Sequence, residues 1–274
     1  MSSMPSVPSV PSDFIGAIPE FYERHLVPVI FDPYAEDLVG RIAAREGLSL
    51  LEVASGTGVV TRRLLSGLPT SARITATDLN EAMIQVARAR TPADPRLEWR
   101  AADGTALPFA DASFDVVLCQ FGVMFFPDKD AGFREARRVL KPGGRYLFNV
   151  WDSFEHNAFG RIARETIASF FASDPPQFYL TPFGYHDAAV IEQGLGQAGF
   201  RSVRIERVAK EARSATALDF ATGLVRGNPV ALSIAERGLD AVAIAETVAA
   251  ELAREYGDRP MHGPMRALVV EAEA

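Results

Sequence analysis

A glycine-punctuated segment that follows a short apolar run has the composition of a ligand-binding loop. Leu51 begins the run, Glu52 interrupts it, and Gly56 and Gly58 follow shortly after. Glycine carries no Cβ, so a backbone that contains it can turn tightly and approach a ligand closely. The free N–H groups of a helix that begins next would favour an anionic group. The segment up to Thr61 therefore predicts a strand, a loop and a helix that hold a nucleotide-like ligand.

Two acidic residues stand at the ends of the next two predicted strands. Asp78 closes the strand Arg73–Asp78, 20 residues after Gly58, where a carboxylate can accept hydrogen bonds from ribose hydroxyls. Asp103 closes a third strand that begins at Leu97, and it could accept a hydrogen bond from an exocyclic adenine amine. The spacing also suits NAD, but a dinucleotide loop requires glycine or alanine where this chain has Thr61.

Two further strands and a sharp helix end continue the alternation of strands and helices. Ser113–Cys119 predicts a fourth strand that leads into Gln120, and residues 145–150 predict a fifth strand. Between them, Pro142 and the two glycines after it predict the end of a helix and a turn. Alternating strands and helices are typical of an α/β fold with a parallel sheet.

Taken together, residues 48–152 resemble a class I S-adenosylmethionine-dependent methyltransferase of the ubiquinone/menaquinone-biosynthesis type, the methyltransferase type 11 group. The segments that carry the resemblance are 52–61, 78–80, 102–104, 107–115 and 140–144. The resemblance implies a Rossmann-like methyltransferase fold: a doubly wound, seven-stranded, mostly parallel sheet with an antiparallel last strand and helical lid insertions. It also implies S-adenosylmethionine as the cofactor. This cofactor has no phosphate, and no phosphate-binding lysine stands near Gly58.

The resemblance further implies which residues contact the cofactor. The loop from Gly56 to Gly58 would hold the methionine moiety, Asp78 the ribose diol, and Asp103 with Gly104 the adenine. The full set of expected cofactor contacts is Glu52, Ala54, Ser55, Gly56, Gly58, Thr61, Asp78, Leu79, Met83, Asp103, Gly104 and Gln120. The loop of this family usually begins with glycine where this chain has Ala54, and an alanine fits there if its φ is negative.

The rest of the chain divides into regions with weaker signals. We predict a disordered Pro/Ser tail over residues 1–13, an N-terminal helical cap over 14–47 and the cofactor-binding core over 48–152. Residues 153–274 would complete the sheet and supply a helical lid at about 175–186 and 214–257. Within these regions, apolar spacing predicts helices over 35–46, 155–171 and 188–199, and strands over 200–209 and 262–270.

Aromatic residues and histidines are the candidates for the acceptor side of the site. In the resembling methyltransferases the N-terminal segment helps to close the acceptor pocket, and the pocket candidates are Phe21, Tyr22, Phe121 and Tyr185. Core packing explains such aromatic residues equally well.

An acceptor with a high pKa would need a general base, for which the candidates are His25, His156 and His186. Each of these histidines could instead be structural. His156 in particular could form a helix-start pair with Asp152. No histidine–acid spacing in the sequence indicates a metal site.

Composition limits the partners of the protein. Its net charge of −7 over 274 residues disfavours a nucleic-acid partner, and the single cysteine, Cys119, excludes an internal disulfide and indicates a reducing cytosol. No apolar run reaches the ~20 residues that a membrane span requires. We therefore expect a cytoplasmic enzyme with a small-molecule acceptor; the sequence does not indicate an oligomeric state.

The main hypothesis is transfer of the sulfonium methyl group of S-adenosylmethionine to an O, N or C atom of a small molecule by in-line displacement. Two alternatives stay open. One is a non-catalytic or regulatory protein that binds S-adenosylmethionine, and the other, disfavoured by Thr61, is an NAD-linked oxidoreductase.

Overall fold

The computed structural model describes residues 12–274, with side chains from residue 17 onward. Seven strands form one sheet in the order β3-β2-β1-β4-β5-β7-β6. The strands β1 to β5 pair in parallel, and β7 is antiparallel to both of its neighbours. The strands are β1 Ser49–Val53, β2 Arg73–Asp78, β3 Leu97–Ala101, β4 Phe114–Gln120, β5 Leu140–Trp151, β6 Arg201–Ser214 and β7 Met261–Glu273. The predicted seven-stranded sheet with an antiparallel last strand is confirmed.

Helices cover the sheet and its carboxyl edge. Residues 12–40 are helical without interruption: α1 (Ser12–Phe21), a π-helix (Tyr22–Phe31) and α2 (Asp32–Gly40). The helices between the strands are α3 Val59–Gly67, α4 Glu81–Arg90, α5 Lys129–Val139, α6 Ala158–Ala168, α7 Leu180–Gly184 and α8 Ala188–Gln197, with a 3₁₀ turn at Val123–Phe125. The insertion before β7 contains α9 Ala217–Arg226, α10 Val230–Glu236 and α11 Ala241–Tyr256.

The strand order places a ligand crevice beside β1 and β4. These two strands are central and apolar, with Leu50, Leu51, Val117 and Leu118 fully buried, because helices cover both faces of the sheet. From β1 the chain continues toward β2 and β3 on one side of the sheet, and from β4 it continues toward β5 on the other side. The strand order therefore reverses between β1 and β4, and ligands of open α/β sheets bind at such a point, outside the carboxyl ends of the strands. The loop after β1 and the turn after β4 therefore border the expected site.

Several predicted boundaries are wrong by a few residues. The helix expected over 35–46 is α2, which ends at Gly40, where Arg41 turns its guanidinium onto Asp37 and Glu271. The helix expected over 155–171 begins later, at Ala158, because the Asn157 side chain donates to the Asp152 carbonyl and holds the preceding turn.

At the sheet and the amino terminus the differences are smaller. The third strand ends at Ala101, so Asp103 lies in the turn beyond it, and β6 continues to Ser214. Residues 1–11 of the predicted tail lie outside the described residues, whereas Ser12 already belongs to α1. No helix within residues 12–274 is long and apolar enough to cross a membrane.

Candidate functional site

The loop after β1 turns on two glycines with left-handed backbones. Gly56 has φ +55° and Gly58 has φ +85°. The loop is tied to the sheet by the Ser55 N–H, which donates to the Thr77 carbonyl at 2.8 Å, and the Gly58 N–H donates to the Ser55 carbonyl at 2.9 Å. A Cβ at Gly58 would lie 3.0 Å from Cη2 of Trp99, whereas one at Gly56 would meet nothing within 4 Å. Packing therefore requires the glycine at position 58 but not the one at position 56, where a Cβ would meet no protein atom.

Ala54 also has a left-handed backbone, so the negative φ that would let an alanine fit without strain is not present. Its φ is +55°, a conformation that costs a residue with a Cβ about 1 kcal/mol. The facing residue on the turn after β4 is Gly122, at which a Cβ would lie 2.5 Å from the Ala54 Cβ and 2.7 Å from the Cys119 Sγ. The methyl group of Ala54 thus fits because Gly122 has no side chain.

Glu52 is buried beneath this loop and bonded to the helix that follows it. Thr61 Oγ1 donates to Glu52 Oε2 at 2.5 Å, and both side chains are inaccessible to solvent. Burial raises the pKa of the Glu52 carboxyl to about 8, although the Thr61 hydroxyl opposes this shift. Thr61 occupies the position where a dinucleotide-binding loop has its third glycine. In this protein the Thr61 hydroxyl, on the helix, instead bonds to Glu52 on the strand before the loop.

Asp78 reaches from the end of β2 to the glycine loop. Its Oδ2 accepts a hydrogen bond from the Gly56 N–H at 2.8 Å, and its Oδ1 accepts one from the Asn80 N–H at 2.8 Å. Burial raises the pKa of this carboxyl above its ordinary value, while these amides oppose the rise. Leu79, the next residue, is 75% exposed, and Met83 lies half-buried in α4. A carboxylate and an exposed apolar side chain thus flank the loop.

Asp103 and Gly104 lie in the turn after β3. The Thr105 N–H and hydroxyl donate to Asp103 Oδ1 at 2.8 and 2.7 Å and lower the pKa of this exposed carboxyl. Gly104 is buried, and a Cβ there would lie 2.7 Å from Cζ of Phe126 and 2.9 Å from Cγ1 of Val53. Close packing is thus sufficient reason for the glycine, and the adenine contact of both residues stays a prediction.

Polar atoms without a protein partner lie between the ends of β1 and β4. Gln120 donates from Nε2 to the Phe31 carbonyl at 3.3 Å, which leaves its Oε1 unpaired. Ser55 Oγ is likewise buried and unpaired among residues 12–274. Buried polar atoms in proteins are normally hydrogen-bonded, so such atoms indicate a missing ligand or water. A hydroxyl and an amide oxygen suit the polar methionine end of S-adenosylmethionine.

Aromatic rings form a continuous wall beside Gln120. Tyr22 stacks on Phe31 with ring centroids 4.8 Å apart, Phe31 lies 5.6 Å from Phe121, and Phe121 stacks on Trp151 at 4.0 Å. The backbone of Phe121 is left-handed, with φ +50°, and the side chain of Asn149 accepts its N–H at 2.9 Å. Two of the four predicted pocket residues, Tyr22 and Phe121, are thus brought together.

The other two predicted pocket residues face different neighbours. The Arg226 guanidinium of α9 lies 3.9 Å from the ring centroid of Phe21, and the Lys129 ammonium at the start of α5 lies 4.9 Å from that of Tyr185. Burial raises the pKa of Tyr185 to about 12. The wall made by Tyr22, Phe31 and Phe121 does not include either of them as a stacking partner.

The three candidate histidines are dispersed over three elements. His25 lies on the π-helix against α9, its ring 5.8 Å from that of Phe21, and burial lowers its pKa, so its imidazole is neutral at pH 7. His156 precedes α6, and the Asp152 carboxylate that could have paired with it accepts instead from Arg266 Nε at 2.6 Å and from the Ser153 N–H at 2.7 Å. His186 precedes α8, half-buried. Within the described part of the chain, no three His, Cys, Asp or Glu side chains converge as metal ligands.

Sequence reasoning missed the residues that tie the N-terminal segment to the loop. Glu23 accepts hydrogen bonds from Thr57 Oγ1 at 2.5 Å and from Arg62 Nη2 at 2.8 Å. Arg62 also donates to the Thr57 carbonyl at 2.7 Å. Thr57 lies between the two predicted glycines and Arg62 follows in α3, but a glutamate 34 residues before Thr57 carries no local signal that it will meet them.

Comparisons with known proteins agree with this geometry. Residues 51–148 match the family model described as a methyltransferase domain, type 11. A ubiquinone/menaquinone biosynthesis C-methyltransferase UbiE from Paracoccus denitrificans is 43% identical over 109 residues, which cover 39% of this chain and 43% of the relative. The chain spans about half the length of the curated relatives that it matches, from 43% to 61%.

Solved structures share the fold over most of the chain. Phosphoethanolamine N-methyltransferase 2 of Haemonchus contortus, in complex with S-adenosyl-L-methionine, aligns with a TM-score of 0.60 and 17% identity, covering 97% of this chain and 60% of that one. The [4+2]-cyclase SpnF aligns with a TM-score of 0.58 and 21% identity, covering 89% of this chain and 80% of that one. At these identities the similarity establishes the fold alone, and the fold serves more than one chemistry.

Proposed function

We propose that the chain is a class I S-adenosylmethionine-dependent methyltransferase of the type 11 group, whose domain model matches residues 51–148, and that it transfers the methyl group of S-adenosylmethionine to a small-molecule acceptor. The observation that carries the proposal is the Asp78 carboxylate, bonded to the Gly56 N–H at 2.8 Å beside buried, unpaired oxygens of Ser55 and Gln120. This set offers partners for a ribose diol and for an amino-acid end within one crevice.

Each group of the site has a task that its surroundings support. The loop from Gly56 to Gly58 would border the methionine moiety, while its N–H groups at the two glycines bond to Asp78 and to the Ser55 carbonyl and fix its shape. Asp78 would accept from ribose hydroxyls, and the exposed Leu79 would cover an adenine face. Buried Glu52 would face an ammonium group directly or through water. When bound, S-adenosylmethionine supplies a methyl group already activated for in-line transfer to O, N or C.

The residues around the reacting end would align the acceptor and exclude water. A preactivated methyl donor leaves the protein mainly with alignment and desolvation, and the closely packed rings of Tyr22, Phe31 and Phe121 suit that task. An apolar or aromatic acceptor fits this wall best. The Paracoccus relative is named as a ubiquinone/menaquinone biosynthesis C-methyltransferase, which supports a small-molecule acceptor.

A general base would be needed only for an acceptor of high pKa. His25 is neutral at pH 7 but packs against α9, so it would act only if the acceptor pocket extends to that helix. His156 and His186 stand in the segments after β5, on the carboxyl side of the sheet. We retain all three histidines as candidates, and single His→Ala variants with an identified acceptor decide among them by loss of kcat at neutral pH.

The setting that we propose is the cytosol, without a nucleic-acid partner. The single cysteine, Cys119, is fully buried and takes part in no disulfide, in keeping with a reducing compartment. The net charge of −7 disfavours association with nucleic acid.

Calorimetric titration with S-adenosylmethionine, S-adenosylhomocysteine and NAD in one buffer tests the proposal. We expect the first two to bind in the micromolar range and NAD not to bind. Asp78→Ala should weaken binding of both at least about tenfold, because hydrogen bonds to a charged group are lost. Asp78→Asn keeps an oxygen that can accept from the Gly56 N–H, so the loop should keep its shape. Weaker binding in this variant would therefore report a lost contact with the ligand and not a change in the loop.

The matched control is Asp94→Ala. Asp94 pairs with Arg96 immediately before β3, at the opposite edge of the sheet, so its removal changes the net charge equally without touching the crevice. Unchanged affinity in Asp78→Ala, or binding of NAD alone, would overturn the proposed cofactor site. Tight binding without turnover in a broad acceptor screen would favour the non-catalytic alternative.

A further inference from the structure

A ring of three hydrogen-bonded residues joins the N-terminal cap to the glycine loop. Glu23 of the π-helix accepts from Thr57 Oγ1 with one carboxylate oxygen and from Arg62 Nη2 with the other, at 2.5 and 2.8 Å. Arg62 closes the ring by donating to the Thr57 carbonyl at 2.7 Å. We name Glu23, Thr57 and Arg62 the Glu23 cluster. Thr57 is the residue between Gly56 and Gly58, so the cluster bonds to the centre of the loop.

The cluster is screened from solvent, which strengthens its charged bonds. The side chain of Glu23 is 9% exposed and that of Arg62 is 25% exposed. Thr57 is fully buried. Charge-assisted hydrogen bonds in such surroundings are stronger than ion pairs on an open surface, which contribute little.

The same helical segment is attached to the crevice at its other end. The carbonyl of Phe31, the last residue of the π-helix, accepts from Gln120 Nε2 at 3.3 Å. Between the two attachments, the Tyr22 ring stacks on Phe31, and burial, followed by the charge of Asp78, raises the pKa of the Tyr22 phenol. The α1 helix before it contacts both α4 of the core and α9 of the insertion. The cap therefore crosses the crevice, bonded at the loop after β1 and at the end of β4.

We propose that Glu23 is a positioning residue: it fixes the Thr57 peptide, and with it the cofactor loop, and it keeps the cap closed over the bound cofactor. The inference rests on the proposed function. A π-helix of ten residues is rare, and such helices occur often at functional sites, because the wider turn redirects side chains. Here it presents Glu23 to the loop and the Phe31 carbonyl to Gln120.

Release of S-adenosylhomocysteine, measured by stopped-flow fluorescence, is the sharpest test. Trp99 lies against Gly58 and is one of two tryptophans in the chain, so its emission reports on the loop. In Glu23→Ala the dissociation rate should rise about tenfold, because the charged hydrogen bonds that hold the closed state are lost. Glu23→Gln, which can still accept from Thr57, should recover part of this loss.

Asp32→Ala is the matched control. Arg63 donates to both carboxylate oxygens of Asp32, at 2.7 and 2.8 Å, so this pair also joins the N-terminal segment to α3 without contacting the loop. Asp32→Ala should lower the melting temperature less than Glu23→Ala, because the Asp32 side chain is 40% exposed, and should leave the dissociation rate within twofold of the wild type. An equal rise in both variants, or no rise in Glu23→Ala, would overturn the proposal.

Hydrogen exchange of the free proteins separates this proposal from the proposed function. Glu23→Ala should accelerate exchange of the amides in residues 54–62, and Asp32→Ala should not. If the wild type binds neither S-adenosylmethionine nor S-adenosylhomocysteine, the proposed function fails, while this measurement still decides whether Glu23 positions the loop. Unchanged exchange in Glu23→Ala would contradict the positioning role directly.

Discussion

The loop after β1 and the turn after β4 lie side by side at the carboxyl edge of the sheet, but different forces hold them. In the loop, charged and polar groups fix the backbone: the Gly56 N–H bonds to Asp78, and Thr61 bonds to Glu52. The first bond joins the loop to the end of β2, and the second joins β1 to α3, the two elements that the loop connects. The loop is thereby shaped before a cofactor arrives, which reduces the ordering cost of binding.

Aromatic packing and one amide hold the turn after β4. Phe121 stacks on Trp151 at 4.0 Å, and its left-handed backbone is fixed by the Asn149 side chain. The two segments meet where the Ala54 methyl group faces Gly122. The contrast shows that polar groups in fixed positions form the proposed cofactor side of the site, whereas packed aromatic rings form the proposed acceptor side. The contact between Ala54 and Gly122 sets the distance between the two sides.

The largest expected effect is at that contact. In Gly122→Ala the new Cβ would lie 2.5 Å from the Ala54 Cβ and 2.7 Å from the Cys119 Sγ, so the loop and the turn must separate. We expect the free energy of unfolding to fall by about 3 kcal/mol, at the upper end for an overpacked core. Urea unfolding measures the change.

Gly196→Ala is the control for the glycine substitution itself. Gly196 lies in α8, where a Cβ meets nothing within 4 Å, and alanine there should stabilise the helix slightly. In the background of Ala54→Gly, part of the loss caused by Gly122→Ala should be recovered, because the nearer of the two clashing atoms is gone. Equal losses in both backgrounds would show that the two segments do not press on each other.

The second effect is a pH dependence of stability that comes from the loop region and not from the aromatic turn. Burial raises the pKa of Glu52 to about 8 in the folded protein, well above its value of 4.5 in an unfolded chain. Between these two values the folded state binds the extra proton, so its stability falls as pH rises. From pH 6 to pH 8 we expect a loss of about 2 kcal/mol, measured by urea unfolding at each pH.

Glu52→Gln provides the comparison for this pH dependence. Glutamine can still accept from Thr61 but does not titrate, so the variant should lose this part of the slope and be more stable than the wild type at pH 8. The turn from Gln120 to Phe126 carries no titratable side chain and adds nothing to the slope. An unchanged slope in Glu52→Gln would mean that Glu52 is ionised in the folded protein.

Features that depend on residues close together in the sequence could be predicted, whereas features that depend on contacts between distant residues could not. The strand–loop–helix around Gly58 and the position of Asp78 follow from local patterns, and the seven-stranded sheet with its antiparallel last strand followed from the family resemblance. The left-handed φ of Ala54 depends on space that Gly122 leaves, 68 residues later. The Asn149 bond to Phe121 spans 28 residues and the Glu23 bond to Thr57 spans 34, and neither has a local signature.

The smallest expected effect measures what the Ala54 methyl group contributes. Ala54→Gly removes the strain of a left-handed alanine but also loses the contact with Gly122, so we expect stabilisation below about 0.5 kcal/mol. Ala112, exposed in a turn with φ +52°, carries the same strain without a comparable contact. Ala112→Gly should therefore stabilise the protein more, by about 1 kcal/mol, in matched thermal unfolding experiments. If Ala54→Gly stabilises as much as Ala112→Gly, the methyl group contributes no packing, and the loop and the turn are held apart by other contacts.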